Sequence, residues 1–426
     1  MRAARQDSLF SVHSIQNPAP GPLRSIFRET GNDTLVVSKF SGWGTLLEVA
    51  PLLSALRLLY PRTRLILVTE RRNAEIASRI PGPDDILFLP GDGNAGPVSP
   101  SGLLQLAARI RRLHPTLFLD LQLHTRRRAA LFLSLASSSR IRIGFVGRHG
   151  GLRMRFLTHP LYFNSHHPSR MAYEQAGLLL GIPPERLSHS LAGWTLRESP
   201  EDLRELEKIF PAIRMAGKIC VVNPNASERG TERRWPAERF SEAAGRLLAR
   251  HPSLGIVLTG SRDEHPYTEG VARGIPRPWR PRVTNLAGRL SLGGLHALLN
   301  HAHVFLTNDS GPLHLAIHSA TPTVGLFGPT RPDLVLPDID RRRLTVLYDA
   351  HYCSPCLYHV QRPPCGGENV CMSSLSVERV VRAVETMLQG TVLPEAREGL
   401  FSCPPKTLDS VGNPLAGFRG KERPAP

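Results

Sequence analysis

The sequence predicts an α/β protein of two doubly wound domains that face each other across a cleft. Three observations predict it. Short apolar runs of buried-strand length alternate with longer stretches of helical periodicity, the pattern of parallel strands joined by crossover helices. The alternation runs through the first half, stops at a polar, charged stretch over 197–210, and then restarts. A chain of 426 residues, 41% of them hydrophobic, is long enough to bury two cores. The expected division is a flexible arm over 1–33, a first domain over 34–200, a second over 201–390, and a disordered tail over 391–426.

Each element has its own signal. The apolar run Thr34 to Phe40 is a strand, and Ser41-Gly42-Trp43-Gly44 the turn after it. Leu46, Val49, Leu52, Leu53 and Leu56 recur at helical spacing over 45–59. Strand 64–69, helix 71–80, strand 85–89, helix 101–114, strand 116–121, helix 126–136 and strand 140–145 follow. Residues 146–166 are irregular, and helix 170–180 leads to the polar connection. In the second half, strands end at Asn223 and Gly260, and helices cover 236–251, 264–273 and 292–302. Val304 to Leu306 is a strand, Pro312 opens a helix, and Thr323 to Phe327 is the next strand. A last helix, 377–388, packs back on the fold. The arm is rich in Pro, Ser and Arg, and the tail holds several Pro and Gly without periodicity.

The formal net charge is +17, and among 53 basic residues only Lys39, Lys208, Lys218, Lys406 and Lys421 are lysines. Such a balance suits an anionic substrate or an anionic membrane surface. No nucleic-acid-binding motif accompanies it, so no nucleic-acid partner is expected. No apolar run is long enough to span a bilayer, and Met1 to Ile26 has no signal-like apolar region. The expected location is therefore cytoplasmic, with peripheral attachment to the cytoplasmic face of the inner membrane as a further reading.

The most informative stretch is Thr307-Asn308-Asp309-Ser310-Gly311-Pro312-Leu313-His314-Leu315-Ala316. A buried strand, a tight polar turn and Pro at the first helical position place backbone N–H groups and the Asp309 and Ser310 side chains at one point. By itself an Asn-Asp-Ser-Gly turn does no more than start a helix. With Thr321-Pro322-Thr323 and Phe327-Gly328-Pro329-Thr330 behind it, the string resembles the donor-binding signature of the heptosyltransferase family, glycosyltransferase family 9. The resemblance covers about residues 34–390. It implies the GT-B architecture, two Rossmann-like domains with the acceptor on the first and a nucleotide-sugar donor on the second. It also implies donor contacts from Asp309, Ser310, Gly311, Pro312, Leu313 and His314.

Three further motifs resemble the family. Lys39-Phe40-Ser41-Gly42-Trp43-Gly44-Thr45 matches its first loop, which places Lys39, Ser41 and Gly44 on the donor, but the family's general base, an Asp, is replaced here by Thr45. A threonine hydroxyl keeps its proton near neutral pH and cannot serve as that base. Glu48, one turn along the same helix, and Asp120, at a strand end, are the carboxylates that could take over; either is otherwise an ordinary surface or strand-end residue. Asn223-Pro224-Asn225 with Arg233-Arg234-Trp235-Pro236 matches the family's diphosphate-binding segment, with Asn225 and Arg233 on the donor and Arg234 an ordinary solvated charge. A fixed guanidinium suits a pyrophosphate leaving group. Glu264, after the 255–260 strand, matches the acid that holds the donor ribose, and an N-cap role fits it equally.

Cys353, Cys356, Cys365 and Cys371 lie in one loop-rich stretch. Cys-x-x-Cys followed by two more Cys admits a structural zinc site, and free thiols packing a loop fit as well. No cofactor is expected in catalysis. The expected activity is inverting transfer of a heptose or related sugar from a nucleotide-diphosphate donor, ADP-heptose by analogy, to a lipopolysaccharide core or other glycan acceptor. The alternative is a non-catalytic member that binds nucleotide-sugar or glycan, since Thr45 stands where the base should be.

Overall fold

The computed structural model describes Leu23 and residues 33–40, 42–91, 98–123, 127–147, 151–164, 167–187, 196, 198–214, 217–226, 228–319, 321–336, 343–357, 360 and 363–390. Ser41, the rest of the expected arm apart from Leu23 and Asp33, and the expected tail lie outside the described residues. Leu23 is buried against the first domain, and its N–H donates to Leu179 O at 3.3 Å.

Two six-stranded sheets form, and every pairing in them is parallel. The first contains β1 (Thr34–Ser38), β2 (Arg64–Glu70), β3 (Asp85–Leu89), β4 (Leu117–Asp120), β5 (Ile141–Val146) and β6 (His159–Tyr162), in the order β3-β2-β1-β4-β5-β6. The second contains β7 (Lys218–Asn223), β8 (Leu254–Leu258), β9 (Val283–Asn285), β10 (Val304–Asn308), β11 (Thr323–Phe327) and β12 (Leu344–Tyr348), in the order β12-β11-β10-β7-β8-β9. Read from the β9 edge, the second order is the winding of the first. In such sheets the strand order reverses between the first and fourth strands, and ligands sit outside the carboxyl ends there. The two switch points are β1/β4 and β7/β10, which end in Ser38, Asp120, Asn223 and Asn308.

The strands alternate as the pleat requires. Leu35 and Val37, Leu65 and Leu67, and Leu117 and Leu119 face one core; Val36, Ile66, Val68 and Phe118 face the other. The outer core is covered by α3 (Pro100–Arg112) and α4 (Arg127–Ala136). The inner core continues into the second domain through Ile219, Val221 and Phe305 of its sheet and Leu315 of the Gly311–Ile317 helix. The outer face of that sheet is closed by the Ala237–Arg250 and Val377–Leu388 helices.

Three strands, β6, β9 and β12, are absent from the sequence reading. Each lies at a sheet edge; β6 and β9 are short and partly exposed and lack a continuous apolar run, whereas β12 is mostly buried. The polar connection is largely helical, from Pro200 to Ile209, started by a capping box in which Ser199 and Asp202 satisfy each other's backbone N–H.

This helix takes part in the contact between domains. On the first domain, α1 (Trp43–Leu59) is followed by α2 (Ala74–Ala77), which carries Glu75 and is succeeded by Arg79. Arg79 grips the Asp202 carboxylate with two hydrogen bonds of 2.6 and 2.7 Å. Glu75 accepts the N–H groups of Leu292 and Gly293, at 3.1 and 2.6 Å, at the start of the Leu292–His301 helix. Glu205 accepts from Ser291 N at 2.7 Å. The approach is close at 293 and 294: a Cβ there would stand 2.0 Å from Asp202 Oδ1 and 2.9 Å from Glu205 Oε1 respectively.

Candidate active site

The helix that follows β1 and the helix that follows β10 meet end to end across the cleft. A Cβ on Gly311 would lie 2.8 Å from the Trp43 ring, and one on Gly44 would lie 3.0 Å from the His314 ring. Two glycines therefore let the domains approach at this point. Thr45 is spent locally, its hydroxyl donating to Gly42 O at 2.9 Å.

Glu48 lies one turn further along α1, half-buried in the cleft. Its carboxyl is pushed above the ordinary range, chiefly by burial. His314, Lys39 and a hydrogen bond with Ser169 pull it back, while Asp309 pushes it further up. His314 and Asp309 belong to the other domain, so this carboxylate faces the residues of the Asp309-to-His314 motif. The structure thus brings together Glu48, Lys39, His314 and Asp309.

Lys39 is buried just past β1. It donates to Tyr173 Oη at 2.6 Å and to Leu121 O at 3.2 Å. Burial lowers its pKa to about 8, against the opposing pull of Glu48 and Asp120. Asp120 does not fit a catalytic role. It is fully buried, with Oδ1 accepting from Ser38 Oγ at 3.1 Å and Gln122 N at 3.0 Å, and Oδ2 paired with Arg153. Those donors occupy both oxygens, which makes Asp120 a strut between β1, β4 and α5 (Gly151–Met154).

On the second domain, Asn308 knits the loops together. It accepts from Trp235 N at 3.1 Å and donates to Pro224 O at 2.9 Å and Asn225 O at 3.2 Å. Asp309 accepts from Thr330 Oγ1 at 2.7 Å and pairs with Arg233 Nη1 at 3.6 Å. Ser310 precedes the Gly311–Ile317 helix but does not cap it; its hydroxyl meets Thr307 Oγ1 at 3.1 Å and accepts from Asn223 at 3.3 Å. Pro312 occupies the first turn, as expected. The side chain of Leu313 packs with Phe327 and Leu344 in a small core and is fully buried, behind the turn.

Asn225 is buried, its amide donating to Thr259 O and Thr268 Oγ1 at 3.0 Å each. Its Oδ1 has no hydrogen-bond partner among the described residues. Glu264 folds back to accept Ser261 N–H at 2.8 Å and lies 3.8 Å from Arg234. It occupies the N-cap position of the His265–Gly274 helix but makes no capping bond. Arg234 is not a solvated charge. It stacks 4.6 Å over the Tyr267 ring and donates to Ala226 O at 3.0 Å. Sequence reading also missed Ser169 and Tyr173, whose spacing of four residues on a helix was the available signal.

The four cysteines are free thiols, and among the described residues no three His, Cys, Asp or Glu side chains are placed to hold a metal. Cys371 faces inward, where a Cβ on Gly328 would stand 2.8 Å from its Sγ. Burial pushes its thiol up to about 11 and raises that of Cys356 as well.

Two parallel sheets of one winding, with their switch points opposed across a cleft, are the GT-B architecture. The family model for glycosyltransferase family 9 (heptosyltransferase) matches residues 104–365, more than half of the chain, and the chain belongs to that family. It is 29% identical over 154 residues to lipooligosaccharide heptosyltransferase 2 of Haemophilus influenzae, covering 36% of this chain and 44% of that protein. It is 24% identical over 309 residues to the lipopolysaccharide core heptosyltransferase OpsX of the same organism, covering 70% and 80%. The chain spans about half the length of the first heptosyltransferase 2 relatives it matches, 44% and 54%. Among solved structures, it resembles a family 9 glycosyltransferase from Veillonella parvula, with TM-score 0.70, 21% identity, and coverage of 85% of this chain and 99% of that one. It also resembles the Escherichia coli ADP-heptose lipopolysaccharide heptosyltransferase II, with TM-score 0.65, 18% identity, and coverage of 84% and 98%.

Proposed function

We propose that the protein is an active inverting glycosyltransferase that moves a heptose from a nucleotide-diphosphate donor to a hydroxyl of a lipopolysaccharide core acceptor, with Glu48 as the general base. The observation that carries this reading is the position of Glu48, a carboxylate held in the cleft opposite His314 and Asp309. ADP-heptose is the donor named for the E. coli relative. Glu48 accepts the acceptor's hydroxyl proton as the oxygen attacks the anomeric carbon from the side opposite the diphosphate. The bond from that carbon to the diphosphate oxygen breaks, its electron pair leaves with the phosphate, and configuration inverts. Arg233, held near the turn by Asp309, offsets the charge that builds on the leaving group. Asn225 and Glu264 belong with the rest of the donor, and Lys39, Gly44, Ser310 and Gly311 with the walls around it. The raised pKa of Glu48 brings the base closer to working pH, where general-base catalysis is most effective.

The test is turnover of ADP-heptose with extracted lipopolysaccharide acceptors, wild type against Glu48→Gln, with donor binding followed by calorimetry. Glu48→Gln is expected to lose about 10²–10⁴-fold in turnover while keeping donor affinity. Wild-type turnover in that variant would remove Glu48 from the reaction. Donor binding without any turnover in the wild type would favour the binding-only reading that Thr45 suggests.

Attachment to the cytoplasmic face of an anionic membrane is the second part of the proposal. Leu104 on α3 is 61% exposed, and Phe132 and Leu135 are exposed on α4, which packs against α3. The same two helices carry exposed Arg109, Arg111, Arg112 and Arg128. Exposed apolar and arginine side chains on neighbouring helices suit an anionic bilayer surface. No helix among the described residues is long and apolar enough to cross a membrane. Cosedimentation with phosphatidylglycerol vesicles, lost in Leu104→Glu/Phe132→Glu, tests it; equal sedimentation of that variant argues against this face.

A further inference from the structure

Arg234 joins the loops that follow β7 and β8. Its Nη2 donates to Ala226 O, just past β7, at 3.0 Å. Its guanidinium carbon lies 4.6 Å from the centroid of the Tyr267 ring, in the first turn of the His265–Gly274 helix. That ring is tied back in turn, its hydroxyl donating to Trp235 O at 3.5 Å. The same Nη2 stands 3.8 Å from Oε1 of Glu264, the residue before the helix. Glu264 Oε2 accepts the Ser261 N–H at 2.8 Å, and the Glu264 N–H donates to Ser261 Oγ at 3.3 Å. The carboxylate is therefore held from two sides, by its own loop through Oε2 and by Arg234 through Oε1. The two side chains are only 21% and 18% exposed, so solvent screens the pair less than a surface ion pair. As a device for stability the arrangement is poor. Arg234 Nε is buried with no hydrogen-bond partner among the described residues, and an unpaired buried N–H costs stability. What the guanidinium does achieve is to fix a carboxylate whose acceptor capacity is largely unused: of about four lone-pair sites, one is taken by Ser261 N–H.

We propose that Arg234 is a positioning residue for Glu264: stacked on Tyr267 and anchored on Ala226 O, it keeps the carboxylate turned to accept from the ribose hydroxyls of the donor nucleotide. This rests on Glu264 belonging with the donor, as proposed above, and adds which group orients it and which part of the donor depends on it. An acid just past a strand end is well placed to hold a ribose hydroxyl. The neighbouring Arg233 is turned to Asp309 instead, so the two adjacent arginines serve different carboxylates. Without Arg234, the Ser261 N–H alone restrains the Glu264 carboxylate, and the side chain regains rotamers that the stacked guanidinium excludes. Hydrogen bonds weaken steeply as they bend. A carboxylate that has lost its orientation therefore stops distinguishing a hydroxyl from a hydrogen, while the fold around it stands.

The readout is the ratio of affinities for ADP and for its 2′-deoxy and 3′-deoxy analogues, measured by calorimetry on the full-length protein. The three ligands carry the same charge, so the ratio separates the hydroxyls from the electrostatic effect of removing an arginine. Wild type should bind ADP about tenfold more tightly than the weaker analogue, as one hydrogen bond to a charged group provides. Arg234→Met should bring that ratio to about threefold or less, and Glu264→Gln should do the same. The double variant should lose no more than Glu264→Gln alone, because the arginine acts through the acid. With ADP-heptose as donor, the loss in Arg234→Met should fall on the donor KM more than on kcat. A folded Arg234→Met that keeps the wild-type ratio while Glu264→Gln loses it overturns the proposal alone, whatever the melting temperature. A Glu264→Gln protein that keeps the ratio overturns the ribose contact beneath it, and a wild type that binds no ADP overturns the donor reading itself. If Arg234→Met does not fold, Arg234→Lys carries the test: it keeps the charge but lacks the planar fork and the stack. Its ratio must fall, and an unchanged ratio overturns the proposal.

Discussion

Replacing Arg79 by Met removes the guanidinium that bridges the two domains and leaves the Asp202 carboxylate buried without its partner. The pKa of Asp202 is lowered from 3.8 to about 2: burial pushes it up, and bonds from Arg79 and Ser199 more than reverse that. That depression corresponds to roughly 2 kcal/mol at neutral pH, shared between the bonds from Arg79 and those from Ser199. The sign follows from linkage: a carboxyl with a depressed folded-state pKa stabilises the fold above its unfolded value and loses that contribution as pH falls through the folded one. By pH 3, between the two values, roughly half of it is gone. Arg79→Met should therefore unfold about 2–3 kcal/mol more easily than wild type at pH 7, and the gap should narrow by roughly half at pH 3. Urea denaturation at both pH values measures this, with Arg79→Met/Asp202→Asn closing part of the gap by removing the stranded charge. A gap that stays the same at pH 3, or is absent at pH 7, would refute the account of this pair.

Two other outcomes follow from the geometry. Gly311→Ala places a methyl 2.8 Å from the Trp43 ring and should cost about 1–3 kcal/mol through overpacking, along with much of the turnover, since the helix starts must separate; melting and activity measured together check it. In the loop cluster, backbone N–H groups, that of Gly367 foremost, lower the Cys365 thiol, whereas burial raises Cys371 and pushes Cys220 to about 12. Iodoacetamide near pH 8 should therefore label Cys365 before Cys371 and Cys220, as mapped by mass spectrometry; the reverse order would contradict these environments.

Much of the fold was legible because central parallel strands are dry on both faces and spell themselves out as apolar runs: Leu35-Val36-Val37, Leu65-Ile66-Leu67-Val68 and Cys220-Val221-Val222. The edges were not, because His159–Tyr162 and Val283–Asn285 are too short and too wet to carry such a run. The helix at Pro200–Ile209 hid behind its charges, since most of its polar side chains face outward or toward the other domain. In the site, the Asp309 turn and Arg233 could be located by motif, since residues near in sequence build each of them. The environment of Glu48 could not: Lys39, Tyr173 and His314 come from three distant segments, and only folding puts them around one carboxylate. Asp120, weighed as a replacement base, is claimed by an arginine, and the side chain of Leu313, expected beside the donor, turns into a core; neither partner could be read from the sequence.

The inner apolar cluster does not stop at a domain boundary. Leu35, Leu119 and Leu53 of the first half and Val221, Phe305 and Leu315 of the second belong to one continuous body of side chains. Neither half could keep that face dry if expressed alone, and melting should read as one cooperative event. The same continuity limits how the cleft can move. Swinging the halves apart like a book would wet the shared layer, so the cheaper motion is a small slide along it, with the facing glycines at 44 and 311 passing closely enough to change what the cleft admits.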